Sequence, residues 1–167
     1  MNFSDAFARL IGHEGGLSLD ARDRGNWTGG RRDAGELRGT KYGISAAAFP
    51  TFDIKNLTLD QARAIYLEKY WGPACCDMLP EALKFPVFDL AVNSGPGRAA
   101  RLLQRAVGAE EDGSIGPQTL MSIHNMPADR ILRRLDAHRL LLMAGDPTWP
   151  AYGRGWVIRV ATNALEA

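Results

Sequence analysis

Cysteine is nearly absent from this chain: two of 167 residues, and the two are neighbours, Cys75 and Cys76. A bridge between adjacent cysteines is strained and rare, so no disulfide framework is expected, and folding in a reducing compartment is the simplest account. Histidine is equally sparse. His13, His124 and His138 are scattered, without the paired spacing that zinc sites use, which argues against a bound metal and against a zinc peptidase. No apolar run reaches the roughly eighteen residues that a membrane span needs. The opening segment, MNFSDAFARL, lacks the basic stretch and apolar centre of a secretory leader. Nor does one sign of charge dominate: twenty basic against nineteen acidic residues leave a formal net charge of +1, which excludes a general nucleic-acid binder working through bulk charge. Repeats, low-complexity tracts and long linkers are missing as well.

What remains is a chain 46% hydrophobic, long enough for one good core or one core with a small appended lobe. Ser4 reads as the N-cap of a first helix from about Asp5 to His13. From Gly15 to Gly43 regular pattern disappears into a glycine-rich loop carrying Arg22, Arg24, Arg31, Arg32, Arg38 and Lys41 against Asp23, Asp33 and Glu36. Long loops in compact domains tend to be functional, and this one could face an anionic polymer. Ser45 predicts a short helix over residues 46–49. Thr58 with Gln61 predicts a capping box and a helix through Tyr70 whose inner face is Leu59, Ala62, Ile65, Tyr66 and Tyr70. Pro86 to Gly95, Arg98 to Val107, a short helix from Pro117, a long one opened by Pro127 and Asp129, and a last one over residues 155–165 complete a mostly helical reading. In the long helix Ile131, Leu132, Leu135 and Leu142 alternate with arginines.

Phe3, Phe7, Leu10 and Glu14 recur at helical spacing, which puts a carboxylate on a stripe of core hydrophobes. Desolvation there disfavours the charged form and moves the group toward the range in which a carboxylic acid donates a proton near neutral pH. Gly15 and Gly16 then end the helix and let another chain approach. Glycosidic cleavage asks for such an acid, together with a negative or water-orienting group on the other face of the sugar. Asp20, Asp23 and Thr40 are the polar candidates near it. Tyr42, Tyr70 and Trp71 offer flat faces to sugar rings, while Asn93, one turn beyond Asp89, could bond an N-acetyl group or hydroxyl. Gln104, Asp112 and Gly113 read as structural.

These residues also carry a resemblance. Glu14-Gly15-Gly16, Asp20 to Gly25, Asn26-Trp27-Thr28-Gly29-Gly30 and Thr40-Lys41-Tyr42-Gly43-Ile44-Ser45 resemble the N-terminal signature of glycoside hydrolase family 108, the phage and bacterial N-acetylmuramidases of the lysozyme-like superfamily. Residues 88–95, Leu103-Gln104, residues 112–117 and Gly155-Trp156 resemble the family's C-terminal peptidoglycan-binding segment. The resemblance implies an all-α, lysozyme-like two-lobed fold with a long irregular loop or small β element after helix 1, a catalytic lobe over residues 1–85 and a helical lobe over residues 86–167 packed with it.

It further implies an endolysin that hydrolyses the β-1,4 bond between N-acetylmuramic acid and N-acetylglucosamine, needs no cofactor or metal, and acts as a monomer. Glu14 is then the general acid, Asp23 the second carboxylate in preference to Asp20, and Thr40 the residue that holds the attacking water. Asp20, Tyr42, Tyr70, Trp71, Asp89 and Asn93 fall to substrate binding. Synthesis in a host cytoplasm without a signal peptide, release to the wall through a pore-forming partner, and no stable membrane insertion follow from the same likeness. The chain departs from the shorter family pattern by an insertion between Gly30 and Gly39. Lytic transglycosylase action on the same bond and non-catalytic binding of peptidoglycan are the alternatives.

Overall fold

A computed structural model describes residues 1–12 and 16–165. Glu14, with His13 and Gly15, lies outside the described residues. Among those described there are seven α-helices and one two-stranded sheet, so the mainly helical expectation with a small β element holds. The chain divides into two compact units, Phe7–Leu67 and Met1–Ala6 with Glu68–Ala167.

Helix α1 spans Phe3–Ile11. It starts two residues earlier than Ser4 predicts as a cap, because the Asn2 side chain accepts from the Asp5 amide at 3.0 Å and so satisfies a donor of the first turn. In the unit Phe7–Leu67, β1 (Thr40–Lys41) pairs antiparallel with β2 (Ile44–Ser45). Tyr42 (φ 51°) and Gly43 (φ 74°) connect them, the double left-handed geometry of a tight hairpin whose turn matches strand twist. A Cβ on Gly43 would collide with the Tyr66 hydroxyl. That hydroxyl donates to the Tyr42 carbonyl at 3.1 Å, holding a tyrosine in a conformation that costs about 1–2 kcal/mol for an L-residue. The helix expected over residues 46–49 is a single turn, closed by Phe49 N–H on the Ser45 carbonyl at 3.0 Å; one such bond does not offset the cost of nucleating a helix.

Helix α2 (Leu59–Tyr66) has both bonds of its capping box, Gln61 N–H to Thr58 Oγ1 at 3.2 Å and Thr58 N–H to Gln61 Oε1 at 2.9 Å. It ends four residues before Tyr70, where the backbone widens into a π turn over Leu67–Trp71. Its inner face is Ala62, Ile65 and Tyr66, whereas Leu59 in the first turn is exposed.

In the other unit, α3 (Glu81–Ser94) packs on α4 (Pro96–Val107), and both pack on α6 (Ala128–Ala144). Helix α3 begins five residues before Pro86, which sits in its second turn. A proline so near the N-terminus interrupts only one ladder bond. Leu83, Val87, Phe88, Leu90 and Ala91 are all buried, which makes α3 the central helix of this unit. Helix α5 (Pro117–His124) follows a turn pinned by Gln104, whose Nε2 donates to Asp112 Oδ1 (2.7 Å) and the Ser114 carbonyl (2.9 Å) while its Oε1 accepts from Gly113 N (3.0 Å). Helix α7 (Trp149–Leu165) starts six residues before the expected boundary. Gly153 faces the Trp149 indole, where a Cβ would come within 2.7 Å of Cε2, so a residue that weakens helices elsewhere is needed here for packing.

Candidate active site

The loop between α1 and β1 is irregular in pattern yet closely bonded. Asp20 to Asp23 form a turn, with Asp23 N–H on the Asp20 carbonyl at 3.1 Å. Asp23 then caps a short 3-10 turn, Arg24–Asn26, by accepting from Gly25 N at 2.8 Å. A Cβ on Gly25 would lie 3.2 Å from that same oxygen, which is why glycine suits the position. Further on, Ser18 and Thr40 exchange backbone bonds of 2.8 and 3.0 Å, adding a third short segment beside β1.

The segment between Gly30 and Gly39 folds back on itself. Thr28 N–H reaches the Glu36 carbonyl and Gly29 N–H the Ala34 carbonyl, each at 3.0 Å. A Cβ on Gly29 would sit 2.7 Å from the Ala34 oxygen. At the base, Arg38 and Gly39 N–H both donate to the Asn26 carbonyl at 3.0 Å, so the segment is closed off before Thr40.

The two candidate aspartates differ in what holds them. Asp20 is gripped by Arg22: Nε and Nη2 lie 3.0 and 2.9 Å from its two oxygens, and the Arg22 backbone N–H adds a third bond at 2.9 Å. These side-chain and backbone bonds lower its pKa to about 2. Asp23 is exposed, and among the described residues only Oδ1 is bonded. A carboxylate saturated by a guanidinium is a poor base or stabiliser of positive charge, while one with a free oxygen remains available.

Removing the clamp gives a direct check. In Arg22→Ala, Asp20 should titrate near the ordinary value of 3.8 instead of about 2, read by carboxyl-carbon NMR. Because the folded pKa is the lower one, the pair contributes above about pH 4 and its contribution is lost as pH falls toward 2. Both groups are exposed, so global stability should scarcely move; an unchanged titration would disprove the clamp.

Thr40 is half-buried on β1, and its Oγ1 donates to Asn26 Oδ1 at 2.6 Å. Asn26 is fully buried, with 0% exposure, and its Nδ2 donates to the Asp20 carbonyl at 2.9 Å. One side chain therefore ties the aspartate turn to the threonine strand. Sequence reasoning assigned Asn26 no role. Its partners lie six and fourteen positions away, so no local spacing reveals them. Tyr42, next in the hairpin, is half-buried, with the Lys41 ammonium 5.3 Å from its ring centroid.

The remaining candidates belong to the other unit and are structural in their contacts. Trp71 is 0% exposed and packs edge-on against Phe3 (5.5 Å) and Phe88 (5.3 Å); no ring face is left for a sugar, which corrects its expected place among the binding residues. Tyr70 is half-buried, and burial raises its phenol pKa. Asp89, expected near substrate, is 1% exposed. Its Oδ2 accepts from Arg139 Nη2 (2.6 Å) and Asn163 Nδ2 (3.0 Å), its Oδ1 from Arg159 Nε (2.7 Å). Asn93 turns its amide back to the Asp89 carbonyl at 2.6 Å. Asp89 is thus the anchor of a buried ion-pair cluster rather than a group that meets a ligand.

Residues 7–95 match the family described as Glycosyl hydrolase 108. The structure of Brucella abortus SagA superposes with a TM-score of 0.82 and is 34% identical, covering 96% of this chain and 90% of that one. No curated protein matches the chain. The fold and the aspartate-threonine loop therefore stand in the class of lysozyme-like glycoside hydrolases. The chain belongs to glycosyl hydrolase family 108 and is a glycoside hydrolase acting on peptidoglycan.

Proposed function

We propose that this hydrolase is an N-acetylmuramidase, cleaving the β-1,4 bond from N-acetylmuramic acid to N-acetylglucosamine. The observation that carries the reading is the single bonded unit made by Asp23, Asn26 and Thr40, within the segment that matches the family. Glu14 protonates the bridging oxygen as the glycosidic bond breaks. Asp23, with one oxygen unbonded among the described residues, stabilises positive charge at the anomeric carbon or takes a proton from water, and Thr40 holds that water. Asp20, clamped by Arg22, shapes the loop. Tyr42 borders the glycan. No metal or organic cofactor takes part.

In the same reading the protein is an endolysin of phage type. It is made in a host cytoplasm, acts as a monomer, reaches the wall through a membrane pore formed by a partner protein, and lyses the cell. Residues 1–85 carry the catalytic groups, and residues 86–167 resemble a wall-binding segment.

Digestion of purified sacculi, followed by borohydride reduction and mass spectrometry, tests the chemistry. Products ending in N-acetylmuramitol are expected. Ends in N-acetylglucosaminitol would move the cut to the other bond, anhydromuramic ends would mean transglycosylation, and intact sacculi that retain bound protein would mean a binding module.

A further inference from the structure

We infer that Asn26 is a positioning residue for the reaction: it fixes the polarity of the Thr40 hydroxyl, so that Oγ1 meets the site as a hydrogen-bond acceptor only. The inference rests on the reading of Thr40 as the holder of the attacking water and adds what makes it fit for that task.

One side-chain amide sets this polarity. Asn26 has one donor end and one acceptor end. Its Nδ2 lies 2.9 Å from the Asp20 carbonyl oxygen, which also accepts from Asp23 N–H at 3.1 Å. Turning the amide over would set Oδ1 against that carbonyl, acceptor against acceptor, in a position with no solvent exposure. The orientation is therefore fixed, and Oδ1 points at Thr40 Oγ1, 2.6 Å away. Two oxygens at that distance need a proton between them, and only the threonine has one. Thr40 spends its single O–H on Asn26 and keeps lone pairs alone for anything else.

The threonine backbone is equally fixed, because Ser18 bonds its N–H and carbonyl on one side and Ser45 pairs with it on the other. A β-branched side chain on such a strand has few rotamers left.

An acceptor is what the chemistry requires. Water attacks the anomeric carbon through a lone pair, which points at the carbon when both of its protons are held elsewhere. Thr40 Oγ1 accepts one proton and Asp23 the other. As the new C–O bond forms, the proton on the Asp23 side moves to the carboxylate, while the departing sugar oxygen leaves with the proton from Glu14. A threonine free to rotate would offer its own O–H to the water in part of the population and orient it wrongly.

The test is a double-mutant cycle on soluble glycan fragments, with melting temperatures recorded for each protein. Thr40→Val and Asn26→Ala should each lower kcat by about 10- to 100-fold with KM within about twofold of the parent. The double variant should be no slower than Thr40→Val alone, since Asn26 acts only through the hydroxyl. If the two losses multiply, or if Asn26→Ala keeps the parent kcat while Thr40→Val does not, Asn26 merely braces the loop and the inference fails. If Thr40→Val itself is fully active, the functional reading of Thr40 has failed instead.

The unmutated protein supplies a second measurement in case Asn26→Ala does not fold. Its Thr40 hydroxyl proton should exchange slowly with water and be visible by NMR. Rapid exchange, or Asn26 amide protons lying against Thr40, would overturn the assignment.

Discussion

Asp89→Asn is expected to lower the free energy of folding by about 3–5 kcal/mol, the cost of leaving a buried charge without its partner. Asp89 is 1% and Arg139 3% exposed, so little solvent is there to screen the loss. Arg159, at 42%, adds less, since water reaches its guanidinium. Among the described residues Arg139 Nε is buried without a hydrogen-bond partner, and removing the carboxylate would strip the Nη2 bond as well. For a chain of this length such a change lowers the melting temperature by on the order of 10 °C, and urea titration would show the midpoint moving at nearly constant slope. Protein that remains folded in the cold should keep its parent activity, because Asp89, at 1% exposure, serves to hold α3, α6 and α7 together. A normal melting curve with lost turnover would reverse that conclusion and return Asp89 to the substrate.

Glu14→Gln should do the opposite: leave the melting curve alone and cut kcat on peptidoglycan by about 10²–10⁴-fold, the usual worth of a positioned general acid. The amide matches the carboxylic acid in shape and can still donate a hydrogen bond, so binding of the glycan should survive. What it cannot do is release a proton to the leaving oxygen. A synthetic substrate whose leaving group is a nitrophenol needs no such proton, and on it the variant should recover most of the lost rate. Parent-level clearing of cell walls by Glu14→Gln, or equal loss on both substrates, would remove Glu14 from the acid's role.

The two replacements separate what short-range pattern reveals from what it hides. The capping box of Thr58 and Gln61 is three residues long, and both of its bonds form as read. Gly95 and Gly108 end their helices at positive φ, 84° and 74°, because residues there need a conformation that side chains resist. Helix starts were less legible. Those of α3 and α7 lie upstream of Pro86 and Gly155, since burial of Phe85 and the seat of Trp149 on Gly153 outweigh weak local preference.

Arg139 is the instructive case. It falls on the same stripe as Ile131 and Leu135, four residues beyond the latter, and all three are buried; a charged residue on an apolar stripe is itself the signal of a buried partner. The alternation of arginines with leucines along α6 concealed it. Leu142, by contrast, is 38% exposed.

The ordered series of glutamate, aspartates, threonine and glycines was legible in the sequence through its resemblance to a glycoside hydrolase family, which the family match bears out, because the turns that space those residues are local. Tertiary structure alone decided which aspartate is clamped and which is open, that Trp71 is core, and that Asp89 neutralises arginines fifty and seventy residues away. The same holds for the Asn26 amide, whose orientation is set by a carbonyl and a hydroxyl on different segments. Hydrogen-bond polarity and ion pairing depend on groups that only folding brings within 3 Å, and no periodicity in a linear chain encodes that distance.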